Sequence, residues 1–483
     1  MSKETMHIGY LPDERPPIWK LLFYALQQVI VMFPATVAVA LITGFQVSTT
    51  IFASGLATLC FILITGKKIP LYYGSSFSYL TAVISLMTSK SITEKLSPEA
   101  LTQLNGWLDG ATSVMPAEAI SYAQFGIIMS GFISIAAGLL IRYFGKHSIE
   151  KVLPASITGS IAMVIGLTLA ANALGDAAPK TGAEGITGTG WVWVVSLATL
   201  LSTILFSRYL KGFLGQLPLL LGAAVGTVTA ALIYAFGGAD MNLFRTIPTE
   251  AIESSLWSLG PLSVPAFTLP KYSLEAMLAI MPIAIATIPE STAHIYQLDI
   301  YVNNLARKKG ANGKYNLAQY LDRNLIGDGI CDMVSGFVGG PAGTNYGENI
   351  STMAITKVFS IPVLAVAAVI AMVISFFTPL IQGIYAIPLA VIGGLEVYLF
   401  GAIAAQGIAI MIDKKVDMFS ARNIAVISTI MIIGLGGQYA FGGNIPFFGI
   451  DVPCIAGAAI FGILLNLLLG IGKKEEAAPA DAA

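Results

Sequence analysis

Long apolar runs recur from Ile18 to Ile471, separated by short polar links, and this repetition constrains the chain more than any other feature. About 20 apolar residues in a helix span the hydrocarbon core of a bilayer. Eleven continuous candidates lie near residues 18–43, 49–65, 122–141, 153–174, 190–207, 217–236, 273–297, 361–379, 384–411, 421–436 and 453–471. Three shorter or interrupted segments, 71–88, 326–339 and 342–358, bring the number to fourteen. Charged residues make up 11% of the chain, against about 25% in a soluble domain. So few charges cannot cover a water-facing surface, whereas lipid imposes no such demand. The 49 glycines suit close helix packing. Such a chain is an all-α polytopic membrane protein, with the lipid bilayer as its first partner. A net charge of −1 points to no nucleic acid. Cys60, Cys331 and Cys454 are far apart in apolar runs and read as small core residues rather than a disulfide or metal set.

Basic residues orient the spans, because they are retained on the cytoplasmic side. With the N-terminus inside, 21 of the 26 Lys and Arg residues fall inside and five (Lys90, Lys95, Lys180, Arg245 and Lys271) fall outside. A miscounted span would scramble that bias, so an even number of spans with both termini cytoplasmic is expected, as a multi-pass protein of the cell membrane. No cleavable signal peptide is expected: residues 1–17 are polar, and the apolar run that follows is too long for a signal core. The tail from Lys473 is low in complexity and expected to be disordered.

Two of the interrupted segments occupy matching places. Ile69–Tyr79 forms the third span and Gly339–Asn349 the tenth, seven spans later. Each joins a Gly/Pro-rich, extended stretch to a helix-competent one. Paired broken spans in two halves are the best sequence pointer to a transporter site. Seven is odd, so the halves enter the membrane from opposite sides and form an inverted repeat.

Charges within spans are rare, and each is a candidate functional group. Glu290 and His294 stand four residues apart on one helix face. Glu348 opens the helical part of the tenth span, where the helix dipole favours an acid. Phe77 and Tyr346 flank the two breaks and are placed to stack on a planar ligand. Asp328 is a candidate support behind the site, and Gln28 a polar group able to reach it. Asp332 is placed near the membrane interface, and Glu396 in the twelfth span at a domain boundary. Carboxylates accept from N–H donors, backbone amides donate to carbonyls, and an aromatic face stacks on a ring. A nucleobase offers all three features. An inorganic anion would be repelled by Glu290 and Glu348.

At these residues the chain resembles the nucleobase–ascorbate transporter family, and within it the bacterial uracil–proton symporters. The likeness covers nearly the whole chain. It runs through Leu26–Gln28, Met32–Val37, Gly74–Phe77, Pro289–Glu290 with His294, and Asn345–Ile350. The family signature is Glu/Gln/Pro, Asn, any residue, Gly, four residues, Thr, then Arg or Lys. It reads here from Glu348 and Asn349 to Thr356 and Lys357, with Ser351 in place of glycine. A first-span histidine common in relatives is Gln28 here, and Asp328 matches a position where xanthine carriers often carry aspartate. The resemblance implies fourteen spans as a 7+7 inverted repeat, with short strands and half-helices in spans 3 and 10. After a cytoplasmic tail (1–17), a core domain comprises 18–150 and 273–379, and a gate domain comprises 151–240 and 380–472. Residues 241–272 form an extracellular loop, and 473–483 are the cytoplasmic tail. It further implies a homodimer through the gate, elevator-type movement of the core, and no cofactor, with the proton as coupling ion. Glu290 and Glu348 would bind the base. The Phe77 and Gly347 backbones would meet its carbonyls, Tyr346 would line the pocket, and His294 would assist Glu290 in proton coupling. Asn349 falls within the signature as a supporting residue. Glutamate at the first signature position resembles uracil carriers, and purine carriers more often show glutamine there. The function implied is proton-coupled nucleobase import, of uracil before xanthine or another purine. An anion exchanger or channel of similar architecture is the alternative of another class. No metal-spaced His/Cys cluster, nucleophile elbow or phosphate-binding loop suggests an enzyme.

Overall fold

The computed structural model describes residues 9–108, 112–145, 152–180, 188–245, 258–259, 261–311, 313–448 and 450–471. They are predominantly helical, and among them nine helices are long and apolar enough to cross a membrane. The protein is a multi-pass membrane protein. The expected disordered tail, 473–483, lies outside the described residues, as does most of the loop at 246–257.

Two long helices open the fold, α1 (Ile18–Thr43) and α2 (Val47–Ile64). A short strand β1 (Tyr73–Ser75) follows, then a 3-10 turn at Phe77–Tyr79 and helix α3 (Leu80–Met87). Helix α4 (Ala117–Phe144) precedes the pair α5 (Ala155–Thr168) and α6 (Ala170–Ala177), then α7 (Trp191–Tyr209) and α8 (Pro218–Gly237). The second half repeats this order. Helices α9 (Leu274–Ile280), α10 (Ala284–Lys308) and α11 (Leu321–Val338) lead into β2 (Gly343–Asn345) and α12 (Gly347–Thr356). Then come α13 (Ile361–Ile374), α14 (Thr378–Tyr385), α15 (Leu389–Asp413), α16 (Ala421–Phe441) and α17 (Cys454–Gly470).

Packing repeats with the order. Helix α4 lies along α11 as α2 lies along α13, and α7 pairs with α8 as α16 pairs with α17. Glycine permits the closest of these approaches, since lipid supplies no hydrophobic force between helices and contact must come from shape. A Cβ on Gly131 of α4 would stand 2.2 Å from the Gly329 carbonyl of α11. On Gly159 of α5, a Cβ would stand 2.6 Å from the Gly407 carbonyl of α15.

Residues 9–17, part of the segment expected from sequence to be a soluble tail, are docked onto the fold. Tyr10 N–H donates to the Lys357 carbonyl (2.8 Å) and Phe359 N–H to the Tyr10 carbonyl (2.8 Å), just past α12. Lys309 reaches Glu14 at 2.5 Å and Lys314 reaches Asp13 at 2.6 Å. The docking has a simple cause: backbone donors and acceptors at the end of α12 accept a strand-like partner, which composition does not reveal.

Candidate functional site

Two short strands meet in the middle of the bundle. Pro70 and Pro341 lack an N–H and bias the residues before them toward extended backbone, so neither segment starts as helix. Gly339, at φ +102°, ends α11 in a left-handed conformation that suits glycine. Strands β1 and β2 then pair antiparallel, with Tyr73 opposite Asn345, Gly74 opposite Thr344 and Ser75 opposite Gly343. The ladder extends through Ser76 N–H to the Ala342 carbonyl and Tyr346 N–H to the Tyr72 carbonyl, both at 2.9 Å. Non-helical backbone at membrane depth needs such internal satisfaction.

Side chains from two neighbouring helices brace this crossing. From α2, the Ser54 hydroxyl donates to the Tyr73 carbonyl (2.7 Å), and Thr58 Oγ1 accepts from Tyr73 N–H (3.0 Å). From α11, Asp332 accepts from the Tyr73 hydroxyl (2.5 Å) and from Gly343 N–H (2.8 Å). Asp332 is therefore a buried brace, 1% exposed, and not the interfacial residue expected from sequence. Its short apolar segment does not reveal this, because only the fold brings Tyr73 across to it. The Tyr346 ring lies over Gly74, where a Cβ would stand 2.3 Å from it. Its hydroxyl donates to the Ser75 carbonyl (3.0 Å) and lies 3.0 Å from Thr36 Oγ1.

Beyond the ladder each strand turns into a helix whose N-terminus borders a cavity of about 350 Å³. Phe77 and Ser78 line it from one side, and Tyr346, Gly347 and Glu348 from the other. Helix α10 adds Glu290 and His294 from one face, as their four-residue spacing requires. Glu290 and Glu348 are within electrostatic reach of each other. The His294 ring lies against Gly347, where a Cβ would stand 3.0 Å from Nε2, and its Nδ1 is buried with no hydrogen-bond partner among the described residues. No hydrogen bond joins His294 to Glu290 among the described residues, so a direct proton relay between them is not built into this geometry. No Lys or Arg lines the cavity. The arrangement offers carboxylate acceptors, helix-start amide donors and one aromatic face to a bound molecule.

Asp328, Gln28 and Asn349 stand behind this wall. Asp328 accepts from the Ser291 hydroxyl and from Asn345 Nδ2 (3.2 Å). Asn324 Nδ2 completes the cluster with a 2.6 Å bond to Ser291 Oγ. This ties α10, α11 and β2 into one unit just behind Glu290. Gln28, read from sequence as able to reach the site, does not line the cavity. Its side-chain oxygen accepts from Asn349 Nδ2 at 2.8 Å, so it fixes α1 to α12 instead. A glutamine in mid-span must find a partner, and Asn349 satisfies it before any ligand does.

Among the lining residues that escaped the sequence reading are the polar side chains of Thr158 of α5, Gln216 before α8 and Gln406 of α15. A signal existed for Gln406. Together with Glu396 it interrupts an otherwise apolar stretch of α15.

The family profile described as Permease family (Xan_ur_permease) matches residues 19–443. A uracil permease of Bacillus caldolyticus is 32% identical over 97% of this chain and 95% of its own length. A putative pyrimidine permease, RutG, of Escherichia coli (strain K12) is 31% identical over 95% of this chain and 91% of its own. Among solved structures, the transmembrane domain of the cyanobacterial bicarbonate transporter BicA aligns with a TM-score of 0.54 at 14% identity, covering 92% of this chain and 96% of that one. The murine anion transporter Slc26a9 in its inward-facing state aligns with a TM-score of 0.59 at 14% identity, covering 95% and 69%. At such identities these two structures speak to the fold alone. The profile match over most of the chain and the long-range identity together place this chain in the permease family, among transporters and not enzymes.

Proposed function

We propose that this chain is a proton-coupled nucleobase importer whose preferred substrate is uracil. The carrying observation is the pair Glu290 and Glu348 on one cavity wall, beside the helix start at Gly347 and the ring of Phe77. Uracil has N–H groups for the carboxylates, carbonyls for the amides, and a flat ring for Phe77. The names of the relatives, uracil and pyrimidine permeases, favour the same class. Proton coupling is assigned to Glu290 with His294. A substrate-binding carboxylate that gains a proton with its ligand couples the two by mass action.

The transport cycle we assign is elevator-type. The recurring packing of α4 on α11 and α2 on α13 supports a 7+7 inverted repeat of fourteen spans. Spans 1–4 and 8–11 would move as a core against a gate of spans 5–7 and 12–14. The cavity lies between these sets, with Thr158 and Gln406 on the gate side. We assign both termini to the cytoplasm of a cell-membrane protein, and a homodimer through the gate.

Labelled uracil uptake into proteoliposomes under an imposed proton gradient tests this. Uptake indifferent to an uncoupler removes the proton, and full uptake by Glu290→Ala removes that residue. Xanthine that competes as well as uracil shifts the substrate to the purine reading, which Asp328 suggested from sequence. Anion exchange has architecture in its favour, since BicA and Slc26a9 share the fold. Two acids and no Lys or Arg on the cavity wall oppose it.

A further inference from the structure

A second buried set of ionisable groups lies outside the cavity, at the other end of α15. Glu396 is 1% exposed, and neither carboxylate oxygen has a hydrogen-bond partner among the described residues. Gly393, one turn earlier on the same face, packs its Cα against the Asp176–Ala177 backbone of α6. The face carrying Glu396 is thereby pressed toward Asp176. The charged groups acting on Glu396 are Asp176, Lys180 just beyond α6, and Arg245 after α8. Helices α5 and α8 carry no charged side chain, and Arg208 of α7 stands at its opposite end. The half of α1 from Pro34 onward is also uncharged.

Arg245 joins this set to the loops of one membrane face. Its Nη2 donates to the Thr112 carbonyl (3.1 Å), and its N–H to the Ala386 carbonyl (3.2 Å). Its Nε and Nη1 are buried with no partner among the described residues. Beside it, the Tyr385 hydroxyl accepts from Val47 N–H (2.9 Å) and donates to Gln46 Oε1 (3.2 Å). Gln46, Thr112 and Arg245 belong to links that the charge bias puts outside, and Tyr385 ends α14 beside them. They tie the proposed core loops at 44–47 and 112–113 to the proposed gate at 385–396. A cavity walled by Thr158, Gln216 and Gln406 lies toward the opposite face.

We propose that Glu396 is a proton-binding site separate from the substrate cavity, and that its ionised form, facing Arg245, holds the outer face closed. A buried guanidinium facing an ionised carboxylate is attracted strongly in low dielectric. Protonation removes that attraction and leaves Asp176 and Lys180 to pair with each other, as they do at 3.2 Å. Closure that uses the ionised carboxylate persists at higher pH and is lost as pH falls. External acid would then open the outer face, the side from which a proton-coupled importer loads. This rests on the topology and core–gate division proposed above, but not on the identity of the substrate.

Hydrogen exchange on the purified full-length protein tests it, with the amides of 44–50 and 376–388 as reporters of outer opening. Wild type should exchange about fivefold faster there at about pH 5.5 than at about pH 7.5, after correction for the intrinsic rate. Glu396→Gln should exchange at the fast level at both pH values, and Arg245→Gln should do the same. Glu396→Asp, which keeps the charge, should retain the pH response and serves as the reading if Glu396→Gln does not fold. Uracil binding, followed as a thermal shift, should survive in all three. Unchanged protection in Glu396→Gln or Arg245→Gln overturns the proposal, as does a pH-independent wild type. Loss of the thermal shift in wild type would instead strike the substrate reading and leave this one standing.

Discussion

Residues 71–80 and 341–350 lie on either side of one antiparallel ladder and share the same run of burial. In each, six buried residues are followed by two half-exposed ones and two more buried ones. The half-exposed pair is Phe77–Ser78 in the first segment and Gly347–Glu348 in the second. The backbone is thus near-symmetric while the chemistry is not. The first arm starts with a 3-10 turn capped from within, the Ser78 N–H donating to Ser76 Oγ at 3.3 Å. The second passes directly into α-helix with no side-chain cap and with Glu348 in its first turn. Symmetry brings two helix N-termini to one cavity. Breaking it gives one arm a ring face and the other a negative charge and free amides. An asymmetric planar ligand needs that division of labour.

The largest expected effect comes from removing the charge that separates the arms. Glu348→Gln should lower uracil uptake about 100-fold, since a hydrogen bond to a charged group contributes about 1.5–3 kcal/mol. Ser78→Ala should lower it less than about tenfold. Equal losses, measured as initial rates in proteoliposomes, would make the arms equivalent and end the comparison.

The next test concerns the ladder that both arms share. A Cβ on Gly343 would stand 2.3 Å from the Gly74 carbonyl oxygen, and one on Gly74 would stand 2.3 Å from the Tyr346 ring. A ring can tilt and a paired backbone cannot. Gly343→Ala should therefore cost about 2 kcal/mol and Gly74→Ala about 1 kcal/mol. The order of their apparent melting temperatures in detergent checks this. A smaller loss is expected at the brace. Asp332→Asn keeps Oδ1, which accepts from both Tyr73 and Gly343, but loses the charge that strengthens both bonds, at about 1 kcal/mol. Its melting shift should be matched by faster exchange of the Gly343 amide. Undiminished protection there would assign the brace to α2 alone.

The smallest effect lies where the arms end differently. Only α12 is followed by the docked N-terminal strand, which Asp13 anchors. Partial burial would raise the Asp13 carboxyl, but hydrogen bonds from Lys314 and Tyr315 outweigh it and hold it below its usual range. A depressed carboxylate stabilises docking above its unfolded pKa, and that contribution fades as pH falls through the folded value. Asp13→Asn should raise exchange at 357–361 modestly at neutral pH, leave 80–88 unchanged, and abolish the acid-induced loosening. An equal response in both segments would show that the strand does not distinguish them.

The candidate site was legible to the extent that its groups were expensive to place. Glu290, His294 and Glu348 stood out because ionisable residues in apolar runs demand a reason. Their meeting on one cavity also follows from the pairing of the two broken segments as one ladder. Asp332 was misplaced and Gln28 left open between the site and a helix contact for one physical reason: each is satisfied by a partner distant in sequence, Tyr73 and Asn349 respectively. A polar side chain announces that it needs a partner without saying which. Gln216 carried no signal, since a glutamine in a link is ordinary until the link folds under the cavity.

The sequence by itself determined that this chain lives in a bilayer, roughly where its long helices lie, and which two segments cannot be helical throughout. These follow from local quantities: apolar run length, scarce charge, and proline and glycine in the breaks. Only the tertiary structure decided that the broken segments pair as one ladder and that α2 and α11 brace it. It alone buried Glu396 and the Arg245 side chain without partners for the Glu396 oxygens or for Arg245 Nε and Nη1, and it alone docked residues 9–17 onto α12. Each of these joins groups separated by tens to hundreds of residues. Lipid gives helices no hydrophobic reason to choose one neighbour over another, so close glycine contacts and buried hydrogen bonds make the choice. Those interactions exist only once the helices have met.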